Sequence, residues 1–151
     1  VNGDFECGSV SFQSSGGGGR VERVLGRTGQ ALRFTSAAGL FNHEFSSTWR
    51  FRVTQPGRYC ARAYVRGTAE AITLRLYLGP VGFAGGEQFD LPGPLASWTR
   101  LPPNVSAVSA MAQAGDEGVL VLIDKRHTPG ATIELDDVDV WRSSDGSCRE
   151  R

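Results

Sequence analysis

"TIELDDVDVW" (132–141) sets four carboxylates, Glu134, Asp136, Asp137 and Asp139, among Ile, Leu, Val and Trp. A strand turns successive side chains to opposite faces, so its buried residues should fall on one parity. Here Ile133 and Leu135 are odd, whereas Val138 and Val140 are even. One extra residue at Asp136-Asp137, a β-bulge, returns both pairs to the same core and turns a carboxylate sideways. The segment therefore reads as a closing strand with a wet face, on which Glu134 and Asp139 are solvated strand residues.

The same two-residue rhythm, or a short continuous apolar run, recurs through the chain. "QALRF" (30–34), "WRFRV" (49–53), "YCARAYVR" (59–66), "ITLRLYLG" (72–79), "SWTRL" (97–101) and "GVLVLID" (118–124) are short and mostly separated by Gly, Pro, Ser or Asn. The one weak helix candidate, "VSAVSAMAQA" (105–114), has apolar residues too scattered for an amphipathic stripe and predicts a short turn at most. A succession of short strands without helices predicts an all-β, two-sheet antiparallel β-sandwich. In "TQPGRY" (54–59), Pro56-Gly57 fits a type II turn and predicts a hairpin between the runs on either side. The glycine run in "SSGGGGR" (14–20) lacks the Lys-Ser/Thr of a phosphate loop, and the other long connection is 79–96.

At 151 residues, 40% hydrophobic and 21% charged, the chain has the size and composition of one globular domain. Its formal net charge of zero offers no field to gather nucleic acid, and no apolar run approaches the roughly 20 residues of a membrane-spanning helix. Neither nucleic acid nor membrane insertion is expected. Lys125 is the single lysine beside fifteen arginines, a bias that codon usage in a GC-rich genome explains. The start at Val1-Asn2-Gly3 reads as a trimmed or mature form.

Three cysteines, with no Cys-x-x-Cys, fit one disulfide and a spare thiol better than a zinc site. Cys7 and Cys148 lie near the two ends. A bond between them would close nearly the whole chain, worth about 4 to 5 kcal/mol in the loop-entropy description, and would place the protein in an oxidising compartment. Cys60, inside a strand run, reads as a small buried or half-buried thiol.

Alternation also sorts the candidate binding residues. Tyr59, Ala61, Ala63 and Val65 share one face of their run, and Cys60, Arg62, Tyr64 and Arg66 the other. Ile72, Leu74, Leu76 and Leu78 share a face, opposite Thr73, Arg75 and Tyr77. If the two strands belong to one sheet, Arg62, Tyr64, Arg66, Arg75 and Tyr77 form a patch suited to sugar rings, with tyrosine covering C–H faces and guanidinium donors reaching hydroxyls. The same pattern equally describes a solvated face in which arginines decorate cross-strand tyrosines. At the amino end, "VNGDFECG" (1–8) joins an Asn-Gly turn signal to Asp4, Phe5 and Glu6. Carboxylates from both ends could share a calcium ion, which takes six to eight oxygens; alternatively Asp4 caps the turn and Glu6 is solvated.

"VNGDFECG" and "IELDDVDVW", with "GQALRF", "VTQPGRYCARAYVR" and "SWTRL" in that order between them, resemble carbohydrate-binding modules of families four, nine and twenty-two. The resemblance spans about residues 1 to 142. It implies a galactose-binding-like jelly roll in one domain, 1–142, followed by a tail, 143–151, tethered through Cys148. It also implies a structural calcium ion held by Glu6, Asp4 and Asp136, and a sugar groove on the concave sheet lined by the outward residues of the two arginine-tyrosine strands. Trp98 matches a core position, and Trp49 alternates with Phe51 and Val53 as a core face. The nearest aromatic after the amino-terminal motif is Phe12, where such modules often carry a Trp. The abundance of Arg exceeds what a neutral xylan or glucan needs and leaves room for an acidic or sulfated glycan.

Glycoside hydrolysis requires two carboxyl groups facing one another about 5 to 9.5 Å apart, and neighbours such as Asp136 and Asp137 point apart. His43, beside Glu44, and His127, after Asp124, come with no nucleophile motif. The sequence thus predicts a non-catalytic polysaccharide- or glycan-binding domain, extracellular or on the cell surface, of the kind appended to a larger secreted or surface protein. The alternative is an adhesion or protein-interaction module that keeps the fold without a sugar site.

Overall fold

In the computed structural model, the apolar parity of each run becomes the inner face of one of two sheets. The structure describes residues 2–3, 12–15, 19–37, 43–47, 51–79, 87–103, 107–126 and 128–149, with side chains for all but 2–3, 12–15 and 43–47. Strands in chain order are β1 (Asn2–Gly3), β2 (Phe12–Ser15), β3 (Arg20–Leu25), β4 (Gln30–Thr35), β5 (His43–Ser47), β6 (Phe51–Arg52) and β7 (Gly57–Gly67). They continue as β8 (Ala71–Gly79), β9 (Gln88–Pro92), β10 (Leu95–Leu101), β11 (Val108–Ala112), β12 (Glu117–Asp124) and β13 (Thr132–Arg142). The expected turn within 105–114 is in fact strand β11, which pairs with β7.

The first sheet runs β10-β7-β13-β4-β3, with β1 added to β13 and β11 to β7; the second runs β2-β5-β12-β8-β9, with β6 added to β12. All the pairings are antiparallel. Ala61, Ala63, Val65, Leu32, Phe34, Ile133, Leu135, Val138 and Val140 face inward from the first sheet. Ile72, Leu74, Leu76, Leu78, Leu120 and Leu122 meet them from the second. Shortening any of the fully buried leucines to Ala would cost about 2 to 5 kcal/mol, from lost burial and the cavity left behind.

Two expectations fail at corners of the chain. Pro56-Gly57 does not close a hairpin, because β6 pairs with β12 in one sheet and β7 with β13 in the other. The second corner follows β7. Gly67 lies so close to β13 that a Cβ there would stand 2.1 Å from the Thr132 carbonyl oxygen. The Thr68 and Ala69 amides both donate to that oxygen, at 3.0 and 3.1 Å. This corner ends the strand and sends the chain across to the other sheet, so β7 and β8 are consecutive in sequence and unpaired in space.

The closing strand keeps its bulge. The β13–β7 register shifts between Asp136 and Asp139, and Asp137 takes a positive φ of 47°. Both apolar pairs of β13 thereby reach the core.

The disulfide differs from the expected one. Cys148 bonds to Cys60, 88 residues away in sequence, and not to Cys7, which lies outside the described residues. Cys60 faces outward on β7, paired in register with Trp141, so the segment following β13 folds back over the first sheet to meet it.

Candidate functional site

The five arginines and tyrosines expected to share a patch are divided between the sheets: Arg62, Tyr64 and Arg66 on β7, Arg75 and Tyr77 on β8. Since the two strands turn their apolar parities toward a common core, their polar parities face opposite sides of the sandwich. The single patch is therefore two candidate faces, and register decides what each can do.

On the first face, β13 sets acids opposite the basic residues of β7: Glu134 beside Arg66, Asp136 beside Tyr64 and Asp139 beside Arg62. Glu134 is a buried hub and not a solvated residue. Its Oε1 accepts from Arg33 Nε and Nη2 at 2.8 and 2.6 Å, and its Oε2 from Arg66. Asp139 accepts from Arg62 Nη2 at 2.9 Å. Three guanidinium groups of this face also cover aromatic rings. Arg62 lies 5.4 Å from the Trp141 ring centre, Arg66 4.6 Å from that of Trp98, and Arg27 4.0 Å from that of Tyr64. Trp98, expected in the core, is half-buried on this outer face, because the β10–β7 register shifts between Leu95 and Thr99. The rings a sugar would need on this face are covered by cations that carboxylates hold in place, Arg27 by Asp137, Arg62 by Asp139 and Arg66 by Glu134.

Asp136 is fully buried. Its Oδ2 accepts the Arg27 and Thr28 amides at 2.7 and 3.1 Å, and its Oδ1 accepts the Asp137 amide at 2.8 Å. Gly26 allows the β3–β4 turn to lean this close, since a Cβ there would meet Oδ2 at 2.5 Å. Burial holds the Asp136 carboxyl above its ordinary value, although the three amide bonds pull the other way. Asp137 pairs with the Arg27 guanidinium and accepts from the Thr28 hydroxyl at 2.8 Å. Calcium binding needs oxygens, whereas Asp136 is ringed by N–H donors with a guanidinium alongside. These surroundings do not fit calcium, and no cluster of three or more metal-ligating side chains occurs among the described residues. Asp4 and Glu6, the other expected ligands, lie outside the described residues.

The second face has a different floor. Val119, Val121 and Ile123 of β12 stand opposite Tyr77, Arg75 and Thr73 of β8. Although they lie on the outer parity, Val119 and Val121 are buried. Arg75 Nη1 donates to the Tyr77 hydroxyl at 2.6 Å, and Arg75 Cζ lies 4.7 Å from that ring's centre. On the β9 side, Asp90 accepts from the Thr73 hydroxyl at 2.5 Å and from Lys125 Nζ at 2.6 Å. Lys125 first, then Thr73, hold the Asp90 carboxyl below its ordinary value, with a smaller contribution from the Arg75 charge. Gln88 sits beside Arg75 in register. The result is a buried apolar strip bordered by one tyrosine, one guanidinium and polar side chains, of which the half-buried Tyr77 and Arg75 are the groups a sugar ring and its hydroxyls can meet.

Sequence reading missed Arg27, Trp141 and Trp98 on the first face, and the valine floor on the second. One signal for the floor was available: "GVLVLID" is continuously apolar, as expected of a strand buried on both faces. Of the remaining candidates, Asp124 is buried and accepts from the Ser36 hydroxyl at 2.8 Å, while His127, Trp49 and the His43 side chain lie outside the described residues.

No family model and no curated protein sequence matches the chain significantly. Solved structures do resemble it. A family 61 carbohydrate-binding module in complex with β-1,4-galactotriose aligns with TM-score 0.63 at 16% identity, over 93% of this chain and 94% of that one. A xylan-binding family 22 module from Paenibacillus barcinonensis aligns with TM-score 0.62 at 15% identity, over 94% and 92%. An arabinose-bound α-L-arabinofuranosidase contains a similar unit, aligned with TM-score 0.62 at 14% identity over 93% of this chain and 24% of that one. The chain thus has the antiparallel β-sandwich fold found in carbohydrate-binding modules. The likeness extends across several families and selects no single one of them.

Proposed function

We propose that the chain is a non-catalytic carbohydrate-binding domain whose ligand lies on the outer face of the second sheet, which we take as the concave face of its jelly roll. One observation carries this reading. Tyr77 and Arg75 border an apolar floor of Val119 and Val121, and among the described residues no carboxylate pairs with Arg75. A pyranose would stack against Tyr77 while its hydroxyls accept from Arg75 or exchange bonds with Gln88 and Asp90. Arg62, Tyr64 and Arg66, proposed from sequence as part of the same site, serve the stability of the first sheet instead.

The Cys60–Cys148 bond supports an extracellular or cell-surface location, because such bonds persist in oxidising compartments. The comparable unit within an arabinofuranosidase supports a role as an appended module of a larger protein. Calcium is left to Asp4 and Glu6 without the Asp136 Oδ2 oxygen. If an ion is held there, a chelator will lower the melting temperature; an unchanged temperature removes it from the proposal. The function is tested by affinity electrophoresis and pull-down against soluble and insoluble polysaccharides, including β-1,4-galactan, xylan and uronate polymers. Binding to at least one of them is expected. Binding to none would favour the adhesion or protein-interaction module on the same fold.

A further inference from the structure

Resting on that reading, we propose that the second face selects glycans bearing a carboxylate, with Arg75 as the residue that recognises the uronate group. Arg75 donates a single hydrogen bond, from Nη1 to Tyr77, and its Nε is buried without an acceptor. On the first sheet, by contrast, Arg27, Arg33, Arg62 and Arg66 each hold a carboxylate. The acid best placed to serve Arg75 is Asp90, on the neighbouring strand. Both its oxygens are taken, however, one by Thr73 and the other by Lys125. The register partners of Arg75 are Val121 and Gln88, neither of which carries charge.

The chain therefore leaves a guanidinium on an apolar floor with its Nε–Nη2 edge donating to nothing among the described residues. That edge is a planar fork of two parallel N–H groups, matched by the two oxygens of a carboxylate. A sugar hydroxyl can accept one of these bonds and brings no charge. The Nε N–H is already out of water without a partner, so an acceptor there fills a bond that free Arg75 does not make. The surrounding valines keep the local dielectric low and strengthen the attraction. Because Nε is buried, a ligand carboxylate reaches this fork when the Arg75 side chain swings away from the Tyr77 hydroxyl that now holds its Nη1.

The experiment is equilibrium binding of the whole chain to polygalacturonate, alginate and glucuronoxylan. Each is set beside its carboxyl-reduced form, with dextran sulfate as a second anion. Wild type, Arg75→Gln and Arg75→Lys are compared, and unchanged denaturation midpoints establish that the variants fold. At least one uronate polymer should bind tenfold or more tighter than its reduced form. Arg75→Gln should abolish that ratio, and Arg75→Lys, which restores the charge without the fork, should recover only part of it. Equal binding of native and reduced polymers, or equal loss of both in Arg75→Gln, overturns the carboxylate assignment and leaves the carbohydrate-binding reading intact. Preference for dextran sulfate over every uronate also overturns it. Failure of every polymer, neutral or acidic, to bind wild type overturns both.

Discussion

The two outer faces of this sandwich use the same residue types to different ends. On the first, β13 supplies Asp139 and Glu134 opposite Arg62 and Arg66 of β7, and both guanidinium groups, held by these acids, lie on aromatic rings. On the second, β12 supplies Val119 and Val121 opposite Tyr77 and Arg75, and among the described residues the guanidinium finds a hydroxyl but no acid. An arginine next to a tyrosine on a strand is thus no site in itself. The neighbouring strand determines whether the pair is closed by the chain or left for a ligand.

If that division is right, damage to the first face should lower stability and spare binding. The largest effect belongs to the disulfide: Cys60→Ala with Cys148→Ala should cost about 4 kcal/mol in urea unfolding, from the long loop it closes. Affinity per folded molecule should stay unchanged. Next is Asp136→Ala, which leaves three amides without their acceptor and should cost about 3 kcal/mol. A loss of affinity in either variant would join the faces that the account separates.

The carboxyls then sharpen the contrast through pH. Asp136 is held above its ordinary value by burial, so its contribution to stability is fully present below the unfolded value and is lost as pH rises through the folded one. The stability of wild type relative to Asp136→Asn should therefore shrink as pH is raised from about 4. Asp145, in the tail before Cys148, behaves in the opposite sense. Bonds from Ser147 and then Ser143 lower it to about 2, so its contribution is present above the unfolded value and lost as pH falls toward the folded one. NMR titration should find Asp145 ionising near 2 and Asp136 above the usual carboxylate range. As Asp145 is fully exposed, removing it should change stability least of all.

Much of the architecture was legible because period-2 alternation is a local property. Ala61, Ala63 and Val65, or Leu74, Leu76 and Leu78, declare their inner face from within their own strands, and the failed parity at Asp136-Asp137 marks the bulge. The pairing of strands is not local. Nothing within "YCARAYVR" or "ITLRLYLG" states that Gly67 packs against Thr132, or that Thr68 and Ala69 bond to it and turn the chain into the other sheet. That crossing divided the expected patch. The disulfide escaped for a related reason: loop length favoured the most distant cysteines, whereas bonding follows which thiols the fold brings together, here Cys60 on β7 and Cys148 after β13. Trp98 was misplaced by a register shift that only the paired strand reveals.

The most direct test compares Tyr77→Ala with Tyr64→Ala in binding to whichever polysaccharide wild type retains. The account predicts a tenfold or greater loss for Tyr77→Ala at nearly unchanged stability, and wild-type affinity with lowered stability for Tyr64→Ala, whose ring is covered by Arg27. Loss of binding in Tyr64→Ala, with Tyr77→Ala unaffected, would contradict the assignment of the binding face.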